Sequence, residues 1–203
     1  MVKVILVRHG ETDWNKVKRI QGSASDTPLS ETGKRQAEGV ALKLKEEKIQ
    51  AIYSSPLQRA MHTAQAIARY HHLEVLPDPH LKEINVGNLE GVLAADLRSR
   101  FDEYICKYDH DHHLLKLPGG ESLQDVQERA WSTVEGFVDT HSKGTIVVVS
   151  HYFVIMSIIC KVINLPLLEV VHLRLHTGTL SSFIVDNCVA RLETFNEPCQ
   201  PQE

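Results

Sequence analysis

The chain has 203 residues, of which 42% are hydrophobic and 24% are charged, and its formal net charge is −4. A chain of this length fits one domain, and it can bury about 70% of its unfolded surface without a disulfide or a structural metal. The composition excludes collagen, coiled coils and wholesale disorder, and the slight acidic excess gives no sign of nucleic-acid binding.

The start of the chain and the cysteines indicate the compartment. The first ten residues, MVKVILVRHG, contain only four consecutive apolar residues before a charged residue. That run is too short for a signal-peptide core or a membrane span. The four cysteines, Cys106, Cys160, Cys188 and Cys199, form no C-x-x-C pair. We therefore expect a cytoplasmic protein with unpaired thiols and no membrane association.

Strand-like and helix-like patterns alternate along the first half of the chain. Residues 2–7 form a short β-branched run that predicts a central strand. A helix is predicted after Ser30, because serine is a good N-cap and apolar residues then recur at helical spacing. Residues 49–53 predict a second strand, a helix follows Pro56, and residues 73–76 predict a third strand.

The second half of the chain continues the alternation. Residues 94–108 show a weak helical pattern, and a turn is expected at residues 118–120. Ser122 and Asp125 form a capping-box pattern at the start of the next helix. The remaining predicted elements are a strand at 145–149, a largely apolar helix at 152–163, and an antiparallel hairpin of strands 180–185 and 189–195.

This order of elements predicts the fold class. Strands that alternate with helices form a mostly parallel sheet with helices on both faces. We therefore expect an α/β protein, a three-layer α/β/α sandwich with a mostly parallel central sheet. No repeat and no interdomain linker interrupts the chain, so residues 1–197 are expected to form a single domain and residues 198–203 a flexible tail.

Polar residues follow three predicted strands at their carboxyl ends, which is where ligands bind in such sheets. Arg8 and His9 follow the first strand, Arg59 lies just beyond the second, and His151 follows a later one. An arginine fork matches phosphoryl oxygens, and a neutral imidazole can attack phosphorus. Each residue alone has a simpler explanation, as a structural histidine or a surface arginine. Their shared position favours a phosphoryl site.

The residues around these positions carry a resemblance. Residues 7–12, VRHGET, with Trp14 and Asn15 following, resemble the signature of the histidine phosphatase superfamily, also called phosphoglycerate-mutase-like. Further blocks continue the resemblance in the family's order: QG at 21–22, PLS at 28–30, YSSPLQRA at 53–60, LKEI at 81–84, EG at 90–91, GGES at 119–122 and VSH at 149–151.

The resemblance implies a phosphoglycerate-mutase-like fold and a covalent mechanism. It makes His9 the nucleophile that forms a phosphohistidine, and it places Arg8, Arg59 and His151 in a positive cradle for the phosphoryl oxygens. Glu83 would be the general acid and base, which requires a raised pKa. No metal and no cofactor is implied.

Other residues have weaker assignments. By the resemblance, Asn15, Gln21 and Gly22 would contact the phosphate or the substrate. Many relatives carry glycine after the second histidine, where this chain has Tyr152, so we expect Tyr152 to influence substrate selection; Phe153, Ile155 and Met156 are expected to be helix core.

Several acidic residues compete with Glu83. Glu90 is its nearest rival, and chemistry alone does not choose between the two; the resemblance favours Glu83. Glu11 and Glu121 are expected to orient arginines or to cap helices. Residues 109–113, DHDHH, are dense enough to hold a divalent ion, but a solvated loop is the favoured interpretation, so no metal site is predicted.

The spacing of the site residues bears on the activity. Mutases of this family usually carry a longer insertion before the second histidine, whereas only 67 residues lie between Glu83 and His151. We expect a metal-independent phosphomonoesterase of small phosphorylated metabolites, similar to α-ribazole phosphatase and to broad-specificity phosphatases. The alternatives are a 2,3-bisphosphoglycerate-dependent phosphoglycerate mutase and a phosphate-binding module without turnover. A homodimer is left open, since the hairpin offers one of several surfaces for pairing.

Overall fold

The computed structural model describes residues 1–96, 116, 119–187 and 189–199. Its strands are β1 (Val2–Arg8), β2 (Ile49–Ser54), β3 (Val75–Pro77), β4 (Gly144–Ser150), β5 (Thr179–Asp186) and β6 (Val189–Pro198). The helices are α1 (Asp13–Lys16), α2 (Glu31–Leu44), α3 (Gln58–His71), α4 (Leu123–Thr140) and α5 (Tyr152–Val162). Short 3-10 turns cover Pro79–Leu81, Gly87–Leu89 and Leu167–His172.

The strands form one sheet in the order β3-β2-β4-β1-β5-β6. The pairs β2/β3, β2/β4 and β1/β4 are parallel, whereas β5 and β6 extend the sheet as the expected antiparallel hairpin. The mostly parallel α/β architecture is therefore confirmed.

The central strand β1 explains why the layers form on both faces of the sheet. Val4 and Leu6 pack into a core with α4 and α5, while Ile5 and Val7 pack into a second core with α2 and α3. A strand covered on both faces needs apolar residues without alternation, which is the pattern of residues 4–7.

Helix caps at the predicted positions set the element boundaries. The Ser30 hydroxyl accepts a hydrogen bond from Gly33 N at the start of α2, and Ser122 and Asp125 form the expected capping box of α4. The third strand begins two residues later than predicted, at Val75, because α3 ends on His72 in a left-handed conformation.

Some expectations reach beyond the part of the chain that the structure describes. The helix expected at 94–108 lies mostly outside the described residues, which stop at residue 96 in this stretch, and the cluster at 109–113 lies outside them altogether. Near the C-terminus, Pro198 pairs with Thr179 and Cys199 is a buried free thiol, as is Cys160, whereas residues 200–203, Cys106 and Cys188 are not described. No helix within the described ranges has the length and apolar character needed to cross a membrane.

Candidate active site

Three strand ends meet at one edge of the sheet. In the register of β1 and β4, Arg8 lies opposite Ser150. Hydrogen bonds continue the pairing beyond the strands: His9 N donates to the Ser150 carbonyl at 3.1 Å, and Ser55 N donates to the Val149 carbonyl at 3.0 Å. The residues that follow β1, β2 and β4 therefore form one crevice, as the positions of the motifs predict.

His9 is a buried, neutral imidazole, with 3% of its surface exposed. Its Nδ1 lies 2.7 Å from the Gly10 carbonyl oxygen, and because a carbonyl only accepts, Nδ1 carries the proton. Burial, and then the charges of Arg59 and Arg8, hold the pKa of His9 well below its ordinary value. The lone pair of Nε2 is therefore free at neutral pH.

The second histidine, His151, lies beside the first. The two ring centroids are 5.1 Å apart and the rings are tilted by 58°. His151 Nε2 is 2.7 Å from the Ser55 hydroxyl, and burial, followed by the Arg59 charge, holds the pKa of His151 well below its ordinary value. Its Nδ1 is buried and has no hydrogen-bond partner in the described part of the chain.

Arg59, in the first turn of α3, is the largest fully buried side chain of the site. Its guanidinium donates to the Ser25 carbonyl at 2.6 Å and to the Gly22 carbonyl at 3.1 Å, while its Nε is buried without a described partner. Burial lowers the pKa of Arg59 and the Glu83 charge raises it. The guanidinium stays charged at neutral pH, since arginine begins from a very high pKa.

Arg8 is held between a carbonyl and an aromatic ring. Its Nη1 donates to the Leu175 carbonyl, and its guanidinium carbon lies 5.2 Å from the centroid of the Tyr152 ring. Burial lowers the pKa of Arg8 to about 10, so it remains a cation at neutral pH. The crevice thus contains one buried cation, Arg59, one half-buried cation, Arg8, and two neutral imidazoles.

Glu83 is the carboxyl of this crevice and is only 5% exposed. It accepts hydrogen bonds from Ile84 N at 2.9 Å and from Phe153 N at 3.2 Å. Burial raises the pKa of Glu83 above its ordinary value, although those two hydrogen bonds and the neighbouring arginines oppose the shift. A carboxyl in this state keeps its proton closer to neutral pH than a solvated one does.

The rival carboxylates have other partners. Glu90 accepts from Gly22 N at 2.8 Å and from the Ser25 hydroxyl, so it holds the loop whose carbonyls receive Arg59. Glu11 accepts from the Ser30 hydroxyl at the start of α2. Glu121 forms an ion pair with Arg129. The expectation that Glu11 and Glu121 serve a helix cap and an arginine agrees with these contacts.

The predicted substrate contacts are held by other residues of the loops that follow β1 and β3. Asn15 Oδ1 accepts from Thr12 N at 3.0 Å in a capping box at the start of α1, and the Gln21 amide bonds the Thr12 and Thr27 hydroxyls. Gly22 lies so close to Glu90 that a Cβ at this position would be 2.6 Å from its carboxylate oxygen.

The predicted contact after the second histidine also has protein partners. The Tyr152 hydroxyl donates to the Leu173 carbonyl at 2.9 Å while its ring lies against Arg8. Ile155 and Met156 are fully buried, and Phe153 packs against the core. These three residues are helix core, as expected.

Two supporting residues had no role in the sequence argument. Thr63 accepts from Gly10 N at 3.1 Å and donates to the Arg59 carbonyl at 2.8 Å, so it links the two halves of the cradle. Ser55 meets His151 across the crevice. Both residues fall within or beside the YSSPLQRA block, but their partners, Gly10 and His151, follow β1 and β4 and are far away in the sequence.

The described residues include no group of three or more histidine, cysteine, aspartate or glutamate side chains placed to hold a metal ion. The cluster at 109–113 is outside that set.

Comparison with known proteins identifies a family. A family model described as the histidine phosphatase superfamily, branch 1, matches residues 4–198. Phosphoserine phosphatase 1 of Hydrogenobacter thermophilus is 38% identical over 167 residues, which are 82% of this chain and 79% of that protein. The probable phosphoglycerate mutase GpmB of Serratia proteamaculans is 34% identical over 181 residues, covering 89% of this chain and 84% of its own.

Solved structures share the whole fold. A putative alpha-ribazole-5'-P phosphatase from Escherichia coli superposes with a TM-score of 0.86 and 27% identity, covering 100% of this chain and 99% of its own. A phosphoserine phosphatase mutant (H9A) from Entamoeba histolytica in complex with phosphoserine superposes with a TM-score of 0.84 and 30% identity, covering 97% of each chain.

Proposed function

Because this chain belongs to the histidine phosphatase superfamily and is a phosphatase, we propose that it hydrolyses small phosphomonoesters through a phosphohistidine on His9. The observation that carries this proposal is the hydrogen bond from His9 Nδ1 to the Gly10 carbonyl, at 2.7 Å. It fixes the tautomer whose Nε2 lone pair is available in a crevice that also holds the Arg8 and Arg59 cations.

In the first step, His9 Nε2 attacks phosphorus while the bond from phosphorus to the ester oxygen breaks. Glu83 gives its proton to that oxygen, so an alcohol leaves and a carboxylate remains. Arg8, Arg59 and His151 bind the phosphoryl oxygens throughout. Their contribution is electrostatic, and donors that are already in place where charge develops are typically worth a few kcal/mol each.

In the second step, Glu83 takes a proton from water as the water oxygen attacks phosphorus. The bond from Nε2 to phosphorus breaks, inorganic phosphate forms, and both catalytic groups return to their starting states. One carboxyl serves as acid and then as base, which suits a group whose pKa burial has raised. The two arginines supply the positive charge, so we propose that turnover needs no added metal.

The substrate is proposed to be a small phosphorylated metabolite. Phosphoserine and alpha-ribazole 5'-phosphate are the substrates that the names of the relatives suggest. We propose that Asn15, Gln21 and Gly22 shape the phosphate end of the site, and that Tyr152 influences substrate selection through Arg8. A cytoplasmic location and a homodimer stay predictions.

Phosphoglycerate mutase activity is the second candidate, because relatives such as GpmB carry that name. It is distinguished by isomerisation of 3-phosphoglycerate that depends on a bisphosphoglycerate primer.

The test is phosphate release from a panel of phosphomonoesters in excess EDTA near neutral pH. The panel holds p-nitrophenyl phosphate, α-ribazole phosphate, phosphoserine, phosphoglycerates and sugar phosphates. We expect turnover that survives the chelator, and the acid-labile phosphoprotein typical of phosphohistidine in the unmodified protein. In His9→Ala we expect turnover to fall by about 10³-fold or more and the phosphoprotein to be lost.

Other outcomes have defined meanings. Normal turnover in His9→Ala would contradict the covalent mechanism. Activity lost to EDTA and restored by zinc would move the chemistry towards residues 109–113. No release from any ester, with tight phosphate binding, would favour the binding module or the mutase.

A further inference from the structure

Glu121 and Arg129 form a two-pronged ion pair that takes no part in the proposed chemistry. Arg129 Nε donates to Glu121 Oε1 at 2.7 Å, and Arg129 Nη2 donates to Glu121 Oε2 at 3.1 Å. The Arg129 side chain is only 17% exposed and the Glu121 side chain only 24%. A partly buried pair that uses both oxygens and two nitrogens has a fixed relative orientation, unlike a single surface contact.

The pair binds the backbone on both sides of Glu83. Arg129 donates to the Glu83 carbonyl at 3.3 Å and to the His80 carbonyl, which lies before it. Glu121 accepts from Asn85 N at 2.7 Å, and its own N donates to the Asn85 carbonyl at 2.8 Å. The main chain that carries Glu83 is thus held at three residues.

The two segments approach as closely as their backbones allow. A Cβ on Gly120 would lie 2.2 Å from the Asn85 carbonyl oxygen, so only glycine fits there. The capped start of α4 follows directly, and Arg129 lies within that helix. The pair therefore connects Glu83 to a rigid element.

The Glu83 carboxyl depends on its backbone for its position. In the described part of the chain its oxygens accept only from the main-chain groups of Ile84 and Phe153. No side chain there fixes the carboxyl directly. A general acid must lie within hydrogen-bond reach of the leaving oxygen, and a misplacement of about 1 Å costs about 100-fold in rate.

We propose that Glu121 and Arg129 are positioning residues that hold the Glu83 carboxyl in place for protonation of the leaving group. This inference rests on the proposed role of Glu83 as general acid. It assigns a function in the reaction to the GGES turn at residues 119–122, which precedes α4, and to an arginine that lies outside the phosphate cradle.

The choice of leaving group separates positioning from a general structural role. An alkoxide leaves only when it is protonated, whereas p-nitrophenolate is a stable anion and leaves without an acid. The ratio kcat/KM covers binding and the first bond cleavage only, so slow hydrolysis of the phosphohistidine does not mask the effect. A misplaced Glu83 therefore lowers kcat/KM for alkyl phosphates selectively.

The experiment compares p-nitrophenyl phosphate with whichever alkyl phosphate of the panel the unmodified enzyme hydrolyses fastest. We expect Arg129→Met to lower kcat/KM for the alkyl phosphate by about 10- to 100-fold and for p-nitrophenyl phosphate by less than about threefold. Arg69→Met is the matched control. It removes an exposed arginine of α3 whose Nη2 lies 2.8 Å from a carboxylate oxygen of Glu38 on α2. It should leave both values within about twofold.

Glu83→Gln distinguishes this inference from the proposed function on which it rests. A selective loss in Glu83→Gln with an equal loss for both substrates in Arg129→Met would overturn the positioning role alone. Equal losses in Glu83→Gln would overturn the acid role of Glu83 and the inference with it. If Arg129→Met does not fold, Arg129→Lys and Glu121→Gln keep a charge or an acceptor and should show the same selectivity to a smaller degree.

Discussion

Burial shifts every ionisable residue of the crevice towards its neutral form. His9 and His151 are neutral because their cations would lie in a dry environment beside two arginines. Glu83 is pushed towards its protonated form by the same burial, against the attraction of those arginines. The arrangement presents an unprotonated nucleophile and favours the acid form of Glu83, which the first step of the proposed reaction needs, and the second step uses the carboxylate that the first step leaves.

The two histidines should make stability depend on pH. Their folded pKa values are depressed, so in acid the unfolded chain binds more protons than the fold, and stability falls as the pH drops below about 6.5. The raised pKa of Glu83 has the opposite sign, because that group favours the fold in acid and loses the contribution as the pH rises. When a histidine variant is compared with the unmodified protein, the contribution of Glu83 cancels, because both proteins contain it.

We therefore expect His151→Asn to flatten the acid side of the stability curve. Between pH 6.5 and 5 the free energy of unfolding should fall less steeply than in the unmodified protein, by up to about 1.4 kcal/mol per pH unit, the value for one proton. Urea titrations at each pH measure this. Parallel curves for the two proteins would show that His151 is not held neutral by the fold.

The choice between Glu83 and Glu90 shows what single residues can reveal in a sequence. The two carboxyls lie seven positions apart, and nothing in their chemistry separates them. Glu90 accepts hydrogen bonds from the Gly22 amide and the Ser25 hydroxyl, which lie more than 60 positions earlier in the chain. Such long-range hydrogen bonds leave no local pattern, so only the resemblance favoured Glu83.

Among the elements, α2 and the loop after β1 are in close backbone contact. A Cβ on Gly33, in the first turn of α2, would lie 2.0 Å from the Glu11 carbonyl, and one on Gly10 would lie 2.3 Å from the Gly33 carbonyl. The absence of side chains at these two positions lets the helix support the loop that carries His9. Gly136 lies inside α4. A Cβ placed there would have no atom within 4 Å apart from its chain neighbours and the backbone of its own helix.

These two helical glycines predict opposite effects of one substitution. Gly33→Ala must separate α2 from the loop, and we expect a loss of about 1–3 kcal/mol in stability together with reduced turnover. Gly136→Ala should stabilise the protein by about 0.5–1 kcal/mol, because alanine favours a helix interior, and leave turnover unchanged. Thermal melting of both variants measures the difference; a cost at Gly136 equal to that at Gly33 would contradict the argument from contact.

Element boundaries could be predicted where a side chain caps a helix, and less well elsewhere. Ser30 and Ser122 carry their own signals, and both helices begin directly after them. The third strand begins later than predicted because Leu73 and Glu74 connect α3 to the sheet, and pairing with β2 begins only at Val75. Leu73 instead packs against the core beneath α2 and α3. Apolar character predicts burial but not hydrogen bonding.

At the scale of the whole molecule, the crevice joins parts of the chain that are far apart in sequence. Buried donors at the centre, including Arg8 Nε and Arg59 Nε, have no partner among the described residues. A bound oxyanion can satisfy such donors and balance the charges of the two arginines. Binding to the fold alone stabilises it by mass action.

Inorganic phosphate or orthovanadate should therefore raise the melting temperature. At 100 times the dissociation constant the fold gains about 2.7 kcal/mol, which for a chain of this size corresponds to about 5–10 °C. Sodium chloride at equal ionic strength is the control. An identical shift with chloride would mean that the crevice does not bind oxyanions specifically.

The overall architecture could be predicted because alternation and strand-end motifs are local signals. The order of the strands could not, since β1 lies between β4 and β5, which come from the last third of the chain. Pairing over such distances depends on packing, which no short window of sequence contains.

The central place of β1 has a consequence for biosynthesis. Both neighbours of this strand are translated more than 130 residues after it, and Gly178 N then donates to the Arg8 and His9 carbonyls. At cellular rates of elongation, the apolar segment around Val4–Val7 is made roughly 7–30 s before its first partner strand, β4, is complete. A waiting β-branched segment is prone to aggregate. Slower release of the last third of the chain should thus lower the soluble yield, and ribosome-associated chaperones should restore it.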